Sequence, residues 1–391
     1  MAARISLAVE QAVSVSPPKG RDEAFDIAKG LGIVAVVALH LSSRSASLFH
    51  KKFDPAWWTL HWINLFLNFC VPLFLLISAI LLARSAVRSE KTNWARFAWR
   101  RTRSVIVPLI VWSAIFWVLR AFIRHDSAVM EPGFWTHVGS RLRDLAFGKA
   151  EFHLYFLSIL AQFCLVLPFL VLLFRRVRSG FWPALILALS TQSAAFALQK
   201  VVRFQWPGST VFWYLSILVP GVWLGMNWKA WPTIRRRTWI VWGALAIAGF
   251  VLFGYGSARD LQGLTSNGTL TNAAGSAYAL GASFLIIGLL TALEPGPRPQ
   301  DSSPLYRHPL WGEELLARRM LKRMGELSIQ IYLMHPILMQ WLSTSWRVKA
   351  LRILPVPSLW LFLITLFGTY GIALLLDRLP YVNQILFGKE R

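Results

Sequence analysis

Ten stretches of this chain, each 17 to 23 residues long, are predominantly apolar. A helix needs roughly 17–25 largely apolar residues to cross the hydrocarbon core of a bilayer. The stretches are residues 25–43, 61–83, 105–122, 154–174, 181–198, 211–227, 239–255, 274–293, 324–344 and 359–376. Charged residues are scarce over the chain as a whole. They make up 15% of the 391 residues, against about 25% in an average soluble domain. Mean hydropathy is +0.50. A soluble fold of this size cannot hide so much apolar surface, and 20 Trp and 26 Phe add to it. The expected fold is therefore all-α and polytopic, with about ten transmembrane helices. A soluble enzyme, a disordered chain and a disulfide-stapled secreted domain are excluded. Both cysteines, Cys70 and Cys164, fall inside apolar runs.

Lys and Arg outnumber Asp and Glu 41 to 18, for a net charge of +23. The cations sit in short clusters between apolar runs, which is a topology signal rather than a nucleic-acid footprint. With the N-terminus inside, the inner segments hold 26 Lys and Arg and the outer ones 14. That bias predicts both termini in the cytoplasm. Residues 1–20 read as a flexible cytoplasmic tail without a cleavable signal, and residues 21–388 as one membrane domain. Asn267-Gly268-Thr269 is a glycosylation sequon of a kind that arises often by chance.

Ionisable side chains inside a span are costly and mark functional positions by default. The first span carries Asp26, Lys29 and His40. Eleven residues at 100° each bring His40 to about 20° beyond three full turns from Lys29, so the two share a face about 16 Å apart along the axis. Lys29 reads equally well as a snorkelling cation paired with Asp26. The ninth span places Ser328, Tyr332 and His335 on one stripe, at i, i+4 and i+7, with Pro336 following. His335 fits a helix-packing histidine as well as a functional one. The fourth span opens with Glu151, Phe152, His153, Leu154 and Tyr155, a carboxylate and an imidazole among aromatics that suit a sugar and also suit an interfacial belt. Arg96, Arg100, Arg101 and Arg103 precede the third span; they fit positive-inside bias or a phosphate clamp. Ser78, by itself, reads as a helix-packing serine.

Taken together these residues resemble the integral-membrane acyltransferase-3 family. Phe25-Asp26-Ile27-Ala28-Lys29-Gly30, with ten residues between Lys29 and His40, looks like the family's first span. Lys stands where Arg is usual, which is similar to the branch of sugar O-acetyltransferases related to fucose-acetylating nodulation enzymes. Val71-Pro72-Leu73-Phe74-Leu75-Leu76-Ile77-Ser78-Ala79 resembles the second-span motif, with Ala79 in place of Gly. Arg100-Arg101-Thr102-Arg103, before Pro108, resembles the basic motif ahead of the third span. His153-Leu154-Tyr155-Phe156-Leu157 and the stretch from Ser328 to Pro336 are similar to two further motifs, in family order.

The resemblance implies a stand-alone O-acetyltransferase in a bacterial inner membrane. It implies acetyl-CoA as the cytosolic donor, no metal, and a carbohydrate acceptor outside: exopolysaccharide, lipid-linked oligosaccharide or another surface glycan. His40 and His335 would be catalytic. Lys29, Arg100, Arg101 and Arg103 would hold the coenzyme, and Glu151, His153, Tyr155, Tyr332 and Ser78 the substrate. Membrane lipid and polysaccharide-synthesis machinery are the expected partners. Intramembrane His and Lys also suit a transporter or flippase for a lipid-linked sugar, and a membrane scaffold is a third reading.

Overall fold

The computed structural model describes residues 23–87, 93–122, 129, 134, 136–177, 180–293, 316–354 and 356–388. The expected tail, residues 1–20, lies outside them. Among the described residues the secondary structure is helical throughout, without strands. Eight of the ten predicted stretches form helices long and apolar enough to cross a membrane. The other two are shorter. Residues 211–227 give a 3₁₀ turn and then a helix of 12 residues, Leu215–Met226. Residues 324–344 break at Leu327 and resume as Ser328–Leu342, 15 residues. At 1.5 Å per residue these rise about 18 and 22 Å, less than the bilayer core. Both are wrapped by other helices, and Leu215–Met226 is buried from Ser216 to Gly225.

The first helix, α1 (Glu23–Phe49), packs against helices from both the early and the late parts of the chain. Glu23 and Asp26 complement its N-terminal dipole. Next come α2 (Pro55–Phe66) and α3 (Cys70–Val87), joined by a 3₁₀ turn. Asp54 caps α2 by accepting from the Trp57 N–H at 2.6 Å. Asn64 of α2 donates to the Leu39 carbonyl at 2.7 Å and to Ser43 Oγ at 2.9 Å, which fixes the last third of α1.

Helix α4 (Trp94–Arg101) runs into α5 (Val107–Phe122) through a π-helical turn, Thr102–Ile106. Pro108 explains the turn. It has no N–H for the Ser104 carbonyl, and its ring would crowd that carbonyl in a regular helix. The turn widens, and the Val107 N–H reaches Thr102 instead. After α6 (Val138–Ala146) come α7 (Tyr155–Arg176), α8 (Phe181–Val202) and the short α9 (Leu215–Met226). Helix α9 nests on α3, where a side chain at Gly221 would meet Ala79 Cβ at 2.8 Å. Small residues are thus needed on both sides of that crossing. The long hairpin α10 (Trp231–Leu261) and α11 (Gly268–Ala292) follows, with Asn267 capping α11.

The final group is α12 (Leu316–Glu326), α13 (Ser328–Leu342), α14 (Ser345–Ile353), α15 (Pro357–Leu376) and α16 (Pro380–Phe387). Helix α12 lies against the start of α1 at a distance only glycine permits. A Cβ on Gly30 would sit 1.9 Å from the Leu321 oxygen, and one on Gly325 would sit 1.7 Å from the Asp26 oxygen. The α16 backbone is tied to α5 by Trp112, whose indole N–H donates to the Leu386 carbonyl at 2.8 Å.

Candidate active site

Three histidines from three separate elements converge. His40 comes from α1, His335 from the middle of α13, and His153 from the turn before α7. The His40 and His335 rings stack with centroids 5.4 Å apart and planes 20° from parallel. His153 meets His335 at 5.7 Å, edge to face. Phe152 closes on His40 at 4.7 Å, and Phe116 and Tyr332 flank His153 at 5.1 and 5.3 Å.

Local sequence explains each placement. Pro336 cannot donate to the Tyr332 carbonyl four residues back. That orphaned carbonyl lies 2.7 Å from His335 Nδ1. A carbonyl only accepts, so Nδ1 carries the proton and Nε2 keeps its lone pair. Nε2 is fully buried with no hydrogen-bond partner among the described residues. The His-Pro pair thus fixes one tautomer beside His40. The Tyr332 hydroxyl donates to the His153 carbonyl, which pins the turn before α7 to α13. That turn is tight because Gly148 adopts φ +63°, where a Cβ would lie 2.5 Å from the Leu154 carbonyl. The Leu333 backbone lies against the His153 ring, without hydrogen-bond geometry.

His40, half-buried, forms part of the wall of a cavity of about 790 Å³ that Glu151, Phe152, Arg44, Gln340 and Trp341 also line. Lys29 is not among its walls; its ammonium pairs with Asp26 at 2.7 Å. His153 and Tyr332 are fully or nearly buried behind the cavity and act on its frame. Tyr155 is not among the cavity walls; Tyr214, Tyr332 and Cys70 are its neighbours. Ser78 sits elsewhere, in a cavity of about 150 Å³ that it shares with Arg101 and Cys164. Of the predicted phosphate clamp, Arg101 is the half-buried member at that cavity. Arg103 lies over Trp99 at 6.0 Å, and Arg100 is exposed.

The sequence reading missed several participants. Arg44, four residues after His40 on the same face, donates through Nε to Ser343 Oγ at 3.1 Å at the cavity rim. The helical periodicity that joined Lys29 to His40 also puts Arg44 on that face, one turn further on. Also missed is the basic face of α12, legible in Leu-Ala-Arg-Arg-Met-Leu-Lys-Arg-Met as cations three and four apart. Arg318 and Lys322 hold Glu23 at 3.2 and 3.5 Å. Arg323 bridges Glu326 and Asp377 at 2.7 and 2.8 Å.

A histidine in a cavity wall, with two further imidazoles packed behind it, is what a family of known chemistry has to explain. Residues 22–378 match the model of the acyltransferase domain, over nearly the whole chain. The chain belongs to that family. It carries an acyltransferase domain, and its long apolar helices mark it as a multi-pass membrane protein. Nodulation protein NolL of Mesorhizobium japonicum is 24% identical over 233 residues. That stretch is 60% of this chain and 56% of the relative, so the match spans little more than half of the curated protein. No solved structure matches the acyltransferase.

Proposed function

We propose that this acyltransferase moves an acetyl group from cytosolic acetyl-CoA to a hydroxyl of a cell-surface carbohydrate on the outer side of a bacterial inner membrane. One observation carries the reading: His40 stands in the wall of a large cavity with its ring stacked on a tautomer-fixed His335. In this reading the His40 imidazole takes the proton of the acceptor hydroxyl. The hydroxyl oxygen attacks the thioester carbonyl, the carbon–sulfur bond breaks, and the coenzyme thiolate leaves with the proton. Glu151 and Gln340 offer an acceptor and a donor for sugar hydroxyls, and Trp341 an aromatic wall. The coenzyme phosphates suit Arg101 and Lys29, towards the end of the bundle that the Lys and Arg count assigns to the cytoplasm.

Family membership favours this over the transporter for a lipid-linked sugar. Purified protein in liposomes, with labelled acetyl-CoA outside and oligosaccharide enclosed, tests it. Label on the enclosed sugar is the expected result. Movement of unmodified lipid-linked sugar without transfer refutes it. Proton NMR of surface polymers from a deletion strain and its parent identifies the glycan.

A further inference from the structure

A second cavity, also of about 790 Å³, opens between α7, α8 and the chain that leads into α9. Its interior is apolar, with Leu198, Ala195, Phe212 and Trp213 among its walls. At its rim lies the Trp206 ring, and two cations sit on that ring: Arg143 at 5.6 Å and Lys149 at 5.3 Å. Neither cation has a carboxylate partner among the described residues; the nearby Asp144 pairs with Arg141 at 3.0 Å. Burial lowers the Lys149 ammonium below its ordinary pKa, so the charge is partly stripped of water with no anion to replace it.

The placement relates this cavity to the active site. Phe147 packs on Trp206 at 5.6 Å and lines the apolar groove. Four and five residues later, Glu151 and Phe152 line the cavity of His40. One short segment is therefore the ridge between the two. It also places both cavities at the end of the bundle that the Lys and Arg count assigns to the outside.

The geometry points to a groove for the lipid phosphate of a lipid-linked saccharide. The hydrocarbon chain lies among Leu198, Phe212 and Trp213, the phosphate rests on Arg143 and Lys149, and the sugar passes over the Phe147–Phe152 ridge toward His40. A long-chain polyprenyl phosphate suits this better than a bulk phospholipid, because only a headgroup bearing a saccharide has a use for the ridge. The acceptor role rests on the acetyl-transfer reading; the lipid-phosphate site does not.

The full chain in phosphatidylcholine nanodiscs is titrated with a polyprenyl monophosphate, and binding is read by native mass spectrometry. One lipid binds per chain. A basic residue near an anionic lipid surface contributes about 1 kcal/mol, so Arg143→Ala and Lys149→Ala each weaken binding about fivefold and the double variant about 25-fold. Leu198→Trp, which fills the groove and leaves both cations, weakens it as well. Equal affinity for polyprenol, equal competition by phosphatidylglycerol or inorganic phosphate, or full affinity in the double variant overturns the site. Transfer to a soluble, phosphate-free oligosaccharide is measured in parallel. Transfer without lipid-phosphate binding overturns the groove alone. Lipid-phosphate binding without transfer to any acceptor supports the groove and overturns the acetyl-transfer reading.

Discussion

Replacing Pro336 by alanine separates catalysis from stability. The proline leaves the Tyr332 carbonyl without a backbone donor, and His335 Nδ1 takes that place at 2.7 Å. Alanine restores an N–H at position 336, aimed at the same oxygen. The imidazole then competes with a backbone donor for one carbonyl. A neutral hydrogen bond is worth about 1 kcal/mol net, so losing it to the backbone lowers the share of correctly held His335 about fivefold. If that ring positions or relays for His40, kcat falls about fivefold and the donor KM stays unchanged. Stability moves the opposite way. Proline costs up to about 3 kcal/mol inside a helix, so part of that is recovered and the melting temperature in detergent holds or rises. The assay is steady-state transfer of labelled acetyl to a fixed acceptor, beside thermal unfolding followed by size-exclusion fluorescence. Unchanged kcat in a protein at least as stable as the parent refutes the linkage of proline to histidine to chemistry.

Three further outcomes are expected. Gly325→Ala drives a Cβ to 1.7 Å from the Asp26 oxygen, so α1 and α12 have to part by about 1.7 Å to regain an ordinary contact of 3.4 Å. Overpacking of this kind costs about 1–3 kcal/mol, and thermal unfolding should fall accordingly, while Gly243→Ala, with nothing within 4 Å, should not lose stability. His40→Ala inserts and purifies normally but leaves the glycan without acetyl groups by proton NMR; retained acetylation removes His40 from the chemistry. Lys29→Arg keeps most of the transfer rate and Lys29→Ala loses it; equal rates would reduce Lys29 to a structural partner of Asp26.

Span-length apolar runs made the helical membrane class legible, because the bilayer demands them one after another. At residues 211–227 and 324–344 the same rule marked apolar stretches that fold as shorter helices. Hydropathy measures apolarity, and a helix buried by its neighbours has as much of it as one facing lipid. Helical periodicity found His40 and the stripe from Ser328 to His335, since both partners in each inference lie on one helix. It had no means of joining His40 to His335, or Ser78 to Arg101, because those pairs meet across the fold. His153 and Tyr332, expected at the substrate, are buried behind the cavity instead of lining it. Their role in framing the cavity depends on a hydrogen bond between segments 179 residues apart. The π turn was readable in principle from Pro108, but a proline alone does not say whether a helix kinks, ends or widens.

The close crossing of Gly30 and Gly325 has a mechanical meaning. Two helices whose backbones touch, and which are clamped again by Glu23 to Arg318 and Lys322, cannot slide without breaking several contacts at once. The amphipathic cationic rod and the histidine-bearing rod therefore behave as one lever. A tug on the basic end, whatever its source, is delivered to the imidazole at the other.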